Sequence, residues 1–224
     1  GIPVIYLDLE TPDQFYADLR TIGQVLGNPE RAEELVGLYQ ATDESVKEIV
    51  AGIAESEKPG VLLLQYSKDG DNIAFEVPPA EWLQTILVEN AGGIPVWKET
   101  TTDGGWTIVT LEQIAVWNPD IIFIVAYSGG AVEVVQSLKA DTNWTSLDAI
   151  MNGQVYAFPA DYFSWDQPDP RWILGELWLA TKIHPAQFNS VDINDEFTNF
   201  YKSYYGLDDT TITEKILPLL TGDL

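Results

Sequence analysis

The chain contains no cysteine and a single histidine, His184. The first absence removes thiolate catalysis, cysteine-ligated metal centres and disulfides together, and the second removes a histidine-rich metal site. Basic residues are scarce, 11 against 35 acidic ones, for a formal net charge of −24. Such a surface repels phosphate backbones and anionic membranes, which argues against nucleic acid as a partner. The longest apolar runs, such as Val61–Leu64 and Ile121–Ala126, fall far short of the ~20 residues needed to cross a bilayer. There is no G-x-S-x-G, no Walker loop and no G-x-G-x-x-G after a strand. The inventory therefore points away from an enzyme, although a glycosidase-type carboxylate pair would be hidden among so many acids.

What is present belongs to a folded domain: 46% hydrophobic and 12% aromatic residues over 224 positions, enough for a substantial core. The organising stretch runs from Asn28 to Pro59 and reads as one long helix. Asn28 can cap it, Pro29 suits its first turn, and Pro59-Gly60 ends it. Leu35, Tyr39, Thr42, Val46, Ile49 and Ile53 recur at steps of four and three and predict its buried stripe. Ahead of it, Ile2–Leu7 reads as a buried strand, and Thr11-Pro12 opens a helix that runs through Leu26.

Beyond Gly60 the pattern alternates. Strands are expected at Val61–Gln65, Ile94–Trp97, Ile121–Ala126 and Gln154–Phe158. Helices are expected at Pro78–Asn90, Thr110–Trp117, Ala131–Leu138, Trp144–Ile150 and Pro170–Ile183, with a closing pair at Ile193–Tyr205 and Thr211–Leu219. Strands alternating with helices imply right-handed crossovers and a mainly parallel sheet, hence a three-layer, Rossmann-like α/β lobe. Ligands of such sheets sit outside the carboxyl ends of the strands. That singles out the loops Tyr66–Val77, Thr100–Gly105, Tyr127–Gly130 and Ala160–Pro170.

The order of these pieces resembles the substrate-binding proteins of ABC importers for siderophores, haem, corrinoids and some oxyanions. Gly1-Ile2-Pro3-Val4 with Ile22-Gly23-Gln24-Val25-Leu26-Gly27 looks like the end of that family's first lobe. Thr110-Leu111-Glu112-Gln113 with Asn118-Pro119-Asp120-Ile121-Ile122, then Asn152-Gly153-Gln154-Val155-Tyr156, look like segments of its second lobe. Pro168-Asp169-Pro170-Arg171 with Leu174-Gly175 and His184-Pro185 resembles its late helix. The resemblance implies two lobes joined by one long helix. On that reading residues 1–27 are the remnant of the first lobe, 28–59 the connecting helix, 60–190 the second lobe, and 191–224 helices packed on it, with most of the first lobe lying upstream.

It also implies capture of a small ligand, with no cofactor and no catalysis, and delivery to a membrane permease from an extracytoplasmic position. The ligand would be a ferric siderophore, haem or corrinoid, or else a molybdate- or tungstate-type oxyanion. Aromatic Tyr66, Phe75, Trp106 and Trp165 could hold a flat or apolar ligand. Tyr127 joins the expected contacts at the turn where Ser128, Gly129 and Gly130 offer backbone N–H groups; Asp166 offers an oxygen, and Arg171 a fork that suits an oxyanion or an ion pair with Asp166 or Asp169. Glu112 matches the position at which the family pairs with permease arginines. A non-catalytic domain that dimerises through residues 2–26 is the alternative from another class.

Overall fold

Thr11 and Pro12 start the first helix as their chemistry dictates: in a computed structural model describing residues 2–70, 72–101 and 104–224, the Thr11 side chain accepts from the Gln14 N–H ahead of α1, Pro12–Val25. Asn28 caps α2, Pro29–Ala51, in the same way, with proline in its first turn. The long helix stops at Ala51 rather than at Pro59. Glycine is costly inside a helix, and here Gly52 closes it, the Gly52 and Ile53 N–H groups taking the Ile49 and Val50 carbonyls in a tight last turn. Its 23 residues span about 35 Å.

The buried stripe of α2 also differs from the predicted one. It runs through Ala32, Val36, Tyr39, Asp43, Val46 and Val50, while Ile49 is exposed. Tyr39 and Val46 are common to both readings. The others are displaced because α2 is packed between α1 and α7, and because a buried aspartate has the chemistry of a solvent-facing residue. Ile2–Leu7 is likewise not a buried strand. Its residues form no strand, and Ile2 and Tyr6 are each 90% exposed. A strand needs a partner edge, and among the described residues this segment has none; Asp18 merely accepts from the Asp8 and Leu9 N–H groups.

The sheet order is β4-β2-β1-β5-β6, with β3 beside the start of β1. These strands are β1 Gly60–Asp69, β2 Asn72–Val77, β3 Ile94–Pro95, β4 Thr107–Val109, β5 Ile121–Val125 and β6 Val155–Ala157. The pairs β1/β3, β1/β5 and β5/β6 are parallel, with Val61 opposite Ile121 and Gln65 opposite Val125. The pairs β1/β2 and β2/β4 are antiparallel. The expected loop Tyr66–Val77 is therefore the end of β1 and all of β2. Its partly solvated faces carry polar side chains, which read as a loop. Thr102 and Asp103 of the expected loop Thr100–Gly105 lie outside the described residues, as do Gly1 and Asp71.

Helices α3, Leu83–Asn90, and α7, Trp172–Ile183, cover one face, where Trp178 meets Phe123 at 5.2 Å between ring centroids. Helix α5, Ala131–Ala140, covers the other, and α4, Leu111–Trp117, and α6, Asp148–Met151, complete the crossovers. α8, Ile193–Tyr205, packs on α7. The chain closes with α9, Asp209–Thr211, running into a π turn at Ile212–Ile216 and a 3-10 turn at Leu217–Leu219. The mainly parallel, three-layer α/β architecture expected from the sequence is what forms. No helix among the described residues is long and apolar enough to cross a membrane.

Candidate functional site

Side chains of a strand alternate between the two faces of the sheet, so the parity of each residue decides which site it can join. Phe123, in contact with α7, shares its face with Val125 and, through the β1/β5 register, with Gln65; Tyr127, in the turn past β5, sits beside Gln84 of α3. Tyr66 and its cross-strand partner Phe75 take the opposite face. The expected site residues accordingly divide into two groups.

The first group gathers around Tyr127, two residues past the carboxyl end of β5. Trp82, just ahead of α3, meets Trp106 edge to face at 6.0 Å, and Trp106 meets Tyr127 in the same way at 6.0 Å. This edge-to-face row places apolar ring surface next to polar atoms, as ligand pockets commonly do. The link into α3 is held firmly: Trp97 Nε1 donates to the Pro78 carbonyl at 2.9 Å, and Thr85 Oγ1 to the Pro79 carbonyl at 2.8 Å. Below the row, the Tyr127 hydroxyl donates to Asp166 Oδ2 at 2.6 Å. Asp166 is fully buried, and its Oδ1 has no partner among the described residues; the side-chain oxygens of Gln65 and Gln84 are similarly buried and unpaired. Burial raises the Asp166 carboxyl above the usual carboxylate range, against hydrogen bonds from Ser164 and Tyr127 that favour the charged form. Burial and the neighbouring Asp166 push the Tyr127 phenol up.

The second group is Tyr66 with Phe75, 5.8 Å apart, and Trp144, which lies 5.1 Å from Phe75. These rings border a groove of about 270 Å³ shared with Glu133, Val134, Ser137 and Leu138 of α5. Tyr66 and Phe75 are thus on the far side of the sheet from Trp106, Tyr127 and Asp166.

Two expected ligand contacts sit in structural networks. Trp165 is fully buried, stacks on Phe197 with centroids 5.9 Å apart, and donates through Nε1 to Asp161 Oδ2 at 3.2 Å. Arg171 is buried too; its Nε donates to Asp161 and its Nη1 to Asp169 Oδ2 at 2.9 Å, while Tyr162 and Phe163 rings face the guanidinium. Tyr201 donates to the same Asp161 at 2.9 Å. An oxyanion contact from Arg171 would require breaking this buried pair. The pairing partners are Asp161 and Asp169, not Asp166.

Ser128 is exposed in the turn before α5, and Gly130 precedes that helix at φ +87°, a value that favours glycine. Glu112 is exposed in the first turn of α4, after Thr110, whose Oγ1 accepts from the Gln113 N–H. Backbone N–H bonding and Thr110 hold the Glu112 carboxyl below its ordinary range.

Sequence reasoning missed Trp82, Gln65 and Gln84. Trp82 falls inside the expected helix Pro78–Asn90, whereas α3 begins only at Leu83. The prolines at 78 and 79 were the available signal for a later start. Among the described residues, no group of three or more His, Cys, Asp and Glu side chains is placed to hold a metal ion.

An open sheet lies between helix layers behind a long lead-in helix, and an aromatic row stands beside buried side-chain oxygens. The chain belongs to the periplasmic binding protein family, whose profile matches residues 1–162. It is 30% identical over 128 residues to the molybdate-binding protein MolA of Haemophilus influenzae, covering 55% of this chain and 35% of that one. It is 26% identical over 179 residues to the Fe(3+)-citrate-binding protein YfmC of Bacillus subtilis, covering 72% and 54% respectively. The crystal structure of a periplasmic solute binding protein from Veillonella parvula superposes with a TM-score of 0.77 at 26% identity, over 97% of this chain and 64% of that one. The chain thus spans about a third to a half of the length of these two relatives.

Proposed function

We propose that the chain is part of the solute-binding component of an ABC importer. It captures a metal chelate of the ferric siderophore, haem or corrinoid type and passes it to a membrane permease from an extracytoplasmic position. The observation that carries this reading is the row Trp82–Trp106–Tyr127, whose Tyr127 stands two residues past the carboxyl end of β5. Capture needs apolar surface and a few fixed polar atoms, with no nucleophile or base. Residues 28–51 then act as the rigid connection between this lobe and a first lobe, of which residues 2–26 are the end. Glu112, exposed and ionised, is available to an arginine of the permease.

Native mass spectrometry against ferric siderophores, haem, cobalamin, molybdate and tungstate tests the proposal. Retention of one of the chelates is the expected result; retention of molybdate or tungstate alone would move the assignment to the oxyanion-binding members. Glu112→Ala is expected to lower uptake in cells while leaving ligand affinity unchanged.

A second reading has its own observation. Ile5, Leu7, Ile22, Val25 and Leu26 border an apolar groove of about 260 Å³. Such a groove suits association with a second copy of the chain. Concentration-dependent size in light scattering would support it, and a constant monomer mass would remove it.

A further inference from the structure

We infer that helix α2 is fastened to the lobe by one proton, which Glu176 of α7 carries and donates to Asp43 of α2, and that this joint loosens when the proton is lost. The joint is independent of what the lobe binds. Helices α1, α2, α3 and α7 meet there. Asp43 and Glu176 are both buried, Glu176 completely, and the two carboxyls are within hydrogen-bonding reach of each other. The Tyr16 hydroxyl of α1 donates to Asp43 Oδ2 at 3.1 Å, and Lys47, one turn along α2, donates to the same oxygen at 3.0 Å. From α3, Asn90 Nδ2 donates to Glu176 Oε2 at 3.0 Å. Neither Asp43 Oδ1 nor Glu176 Oε1 receives an aligned hydrogen bond among the described residues, although the Lys47 ammonium lies 2.7 Å from the former. Trp172, one turn earlier on α7, leaves its own Nε1 unpaired and does not supply that donor.

Two ionised carboxylates in contact would be acceptors only, with a single ammonium beside them and no donor for their facing oxygens. One proton removes the second charge and supplies the missing donor. Its place follows from the partners: Asp43 has an ammonium and a phenol that favour its charged form, whereas Glu176 has one amide. Burial first, and then the Asp43 charge, raise the Glu176 carboxyl, and burial keeps the Tyr16 phenol protonated as a donor. Asp13 of α1 adds negative potential at Tyr16. Glu196 of α8 is half-buried on a groove beside Ile173 and Leu177 of α7. Release of the proton to solvent leaves two like charges in a dry contact, a state relieved only if water enters or α2 and α7 part.

Difference infrared spectroscopy of the whole chain tests the proton, and hydrogen exchange tests the joint. At neutral pH the wild-type spectrum minus that of Glu176→Gln should contain the C=O stretch of one neutral carboxylic acid; the subtraction removes any contribution from Asp166. In Asp43→Asn, which removes the like charge and leaves Lys47 free for Glu176, that band should titrate away at lower pH. In exchange corrected for intrinsic rates, opening of α2 around Asp43 and of α7 around Glu176 should rise about tenfold per pH unit once the proton is released, the response of a one-proton equilibrium. Helix α5 should not follow. Glu176→Gln, whose amide N–H replaces the proton's bond to Asp43, should keep α2 and α7 closed across the same range. Absence of the acid band at neutral pH, or a band unmoved by Asp43→Asn, would overturn the shared proton. Exchange that rises equally in α5, or equally in Glu176→Gln, would overturn the joint. Should a variant not fold, the wild-type protein alone decides: its acid band and the closed state of α2 must disappear over one pH range, and separate transitions would overturn the joint.

Discussion

Asp161 accepts from Arg171, Trp165 and Tyr201 and so joins the segment before α7 to α8. Removing one partner of a buried pair leaves the other charge uncompensated, which costs more than the pair itself contributes. Arg171→Met is therefore expected to lose about 3–5 kcal/mol of stability in urea unfolding. Retention of full stability would mean that the guanidinium is free and available to an anionic ligand. Glu176 on α7 poses the complementary case. It is fully buried; Asn90 Nδ2 donates to its Oε2 at 3.0 Å, and its Oε1 has no partner among the described residues. Burial first, and then the nearby Asp43, hold its carboxyl well above the ordinary value of 4.5. A carboxyl raised in the folded state contributes stability that is complete below its unfolded value and is lost as pH rises through the folded one. Stability should thus fall from acid towards neutral pH on account of this group. Glu176→Gln should flatten that fall and raise neutral-pH stability by about 1–3 kcal/mol, seen as a higher Tm at neutral pH and a smaller difference at acid pH. An unchanged pH profile would contradict the assignment.

At the scale of elements, α7 shows how closely the site's supports are packed. A Cβ built on Gly175 would lie 2.3 Å from the Trp165 carbonyl oxygen, so helix and segment touch through backbone. Gly175→Ala is expected to cost about 1–3 kcal/mol by overpacking, measurable as a lowered urea midpoint; a neutral effect would show that the 160–170 segment can move away from α7. The elements best read from the sequence were those in which one chemistry dominates. Thr11-Pro12 marked α1, and the run Ile121–Val125 could only be a strand buried on both faces. The hairpin β1/β2 was hidden because half of its side chains face solvent, and the 2–7 segment misled because apolar content cannot show that a partner edge is missing. Asp43 and Glu176 concealed part of the α2 contact, since buried carboxyls are rare. Trp106, Tyr127 and Asp166 were singled out because they lie in or beside loops at strand ends, and the structure brings these three side chains together. That Tyr66 and Phe75 lie on the other face depends on strand parity beyond Gln65, which could not be read while that stretch was taken as a loop.

For the whole molecule the dominant quantity is charge. With 35 acidic and 11 basic residues, self-repulsion opposes compaction, and salt screens it. Adding sodium chloride at neutral pH should therefore raise Tm, and a fall on addition of salt would mean that specific ion pairs outweigh the general repulsion. The sheet has two differently lined faces, and the proposed ligand lies against only one of them. Calorimetric affinity for whichever chelate the protein retains, compared between Trp106→Ala and Tyr66→Ala, tests that placement most directly. Trp106→Ala should weaken binding by about 1–3 kcal/mol, the effect of removing a stacking wall, while Tyr66→Ala on the α5 face leaves affinity unchanged. The reverse pattern, with Tyr66 decisive and Trp106 silent, would contradict the account and move the site to the groove between the hairpin and α5.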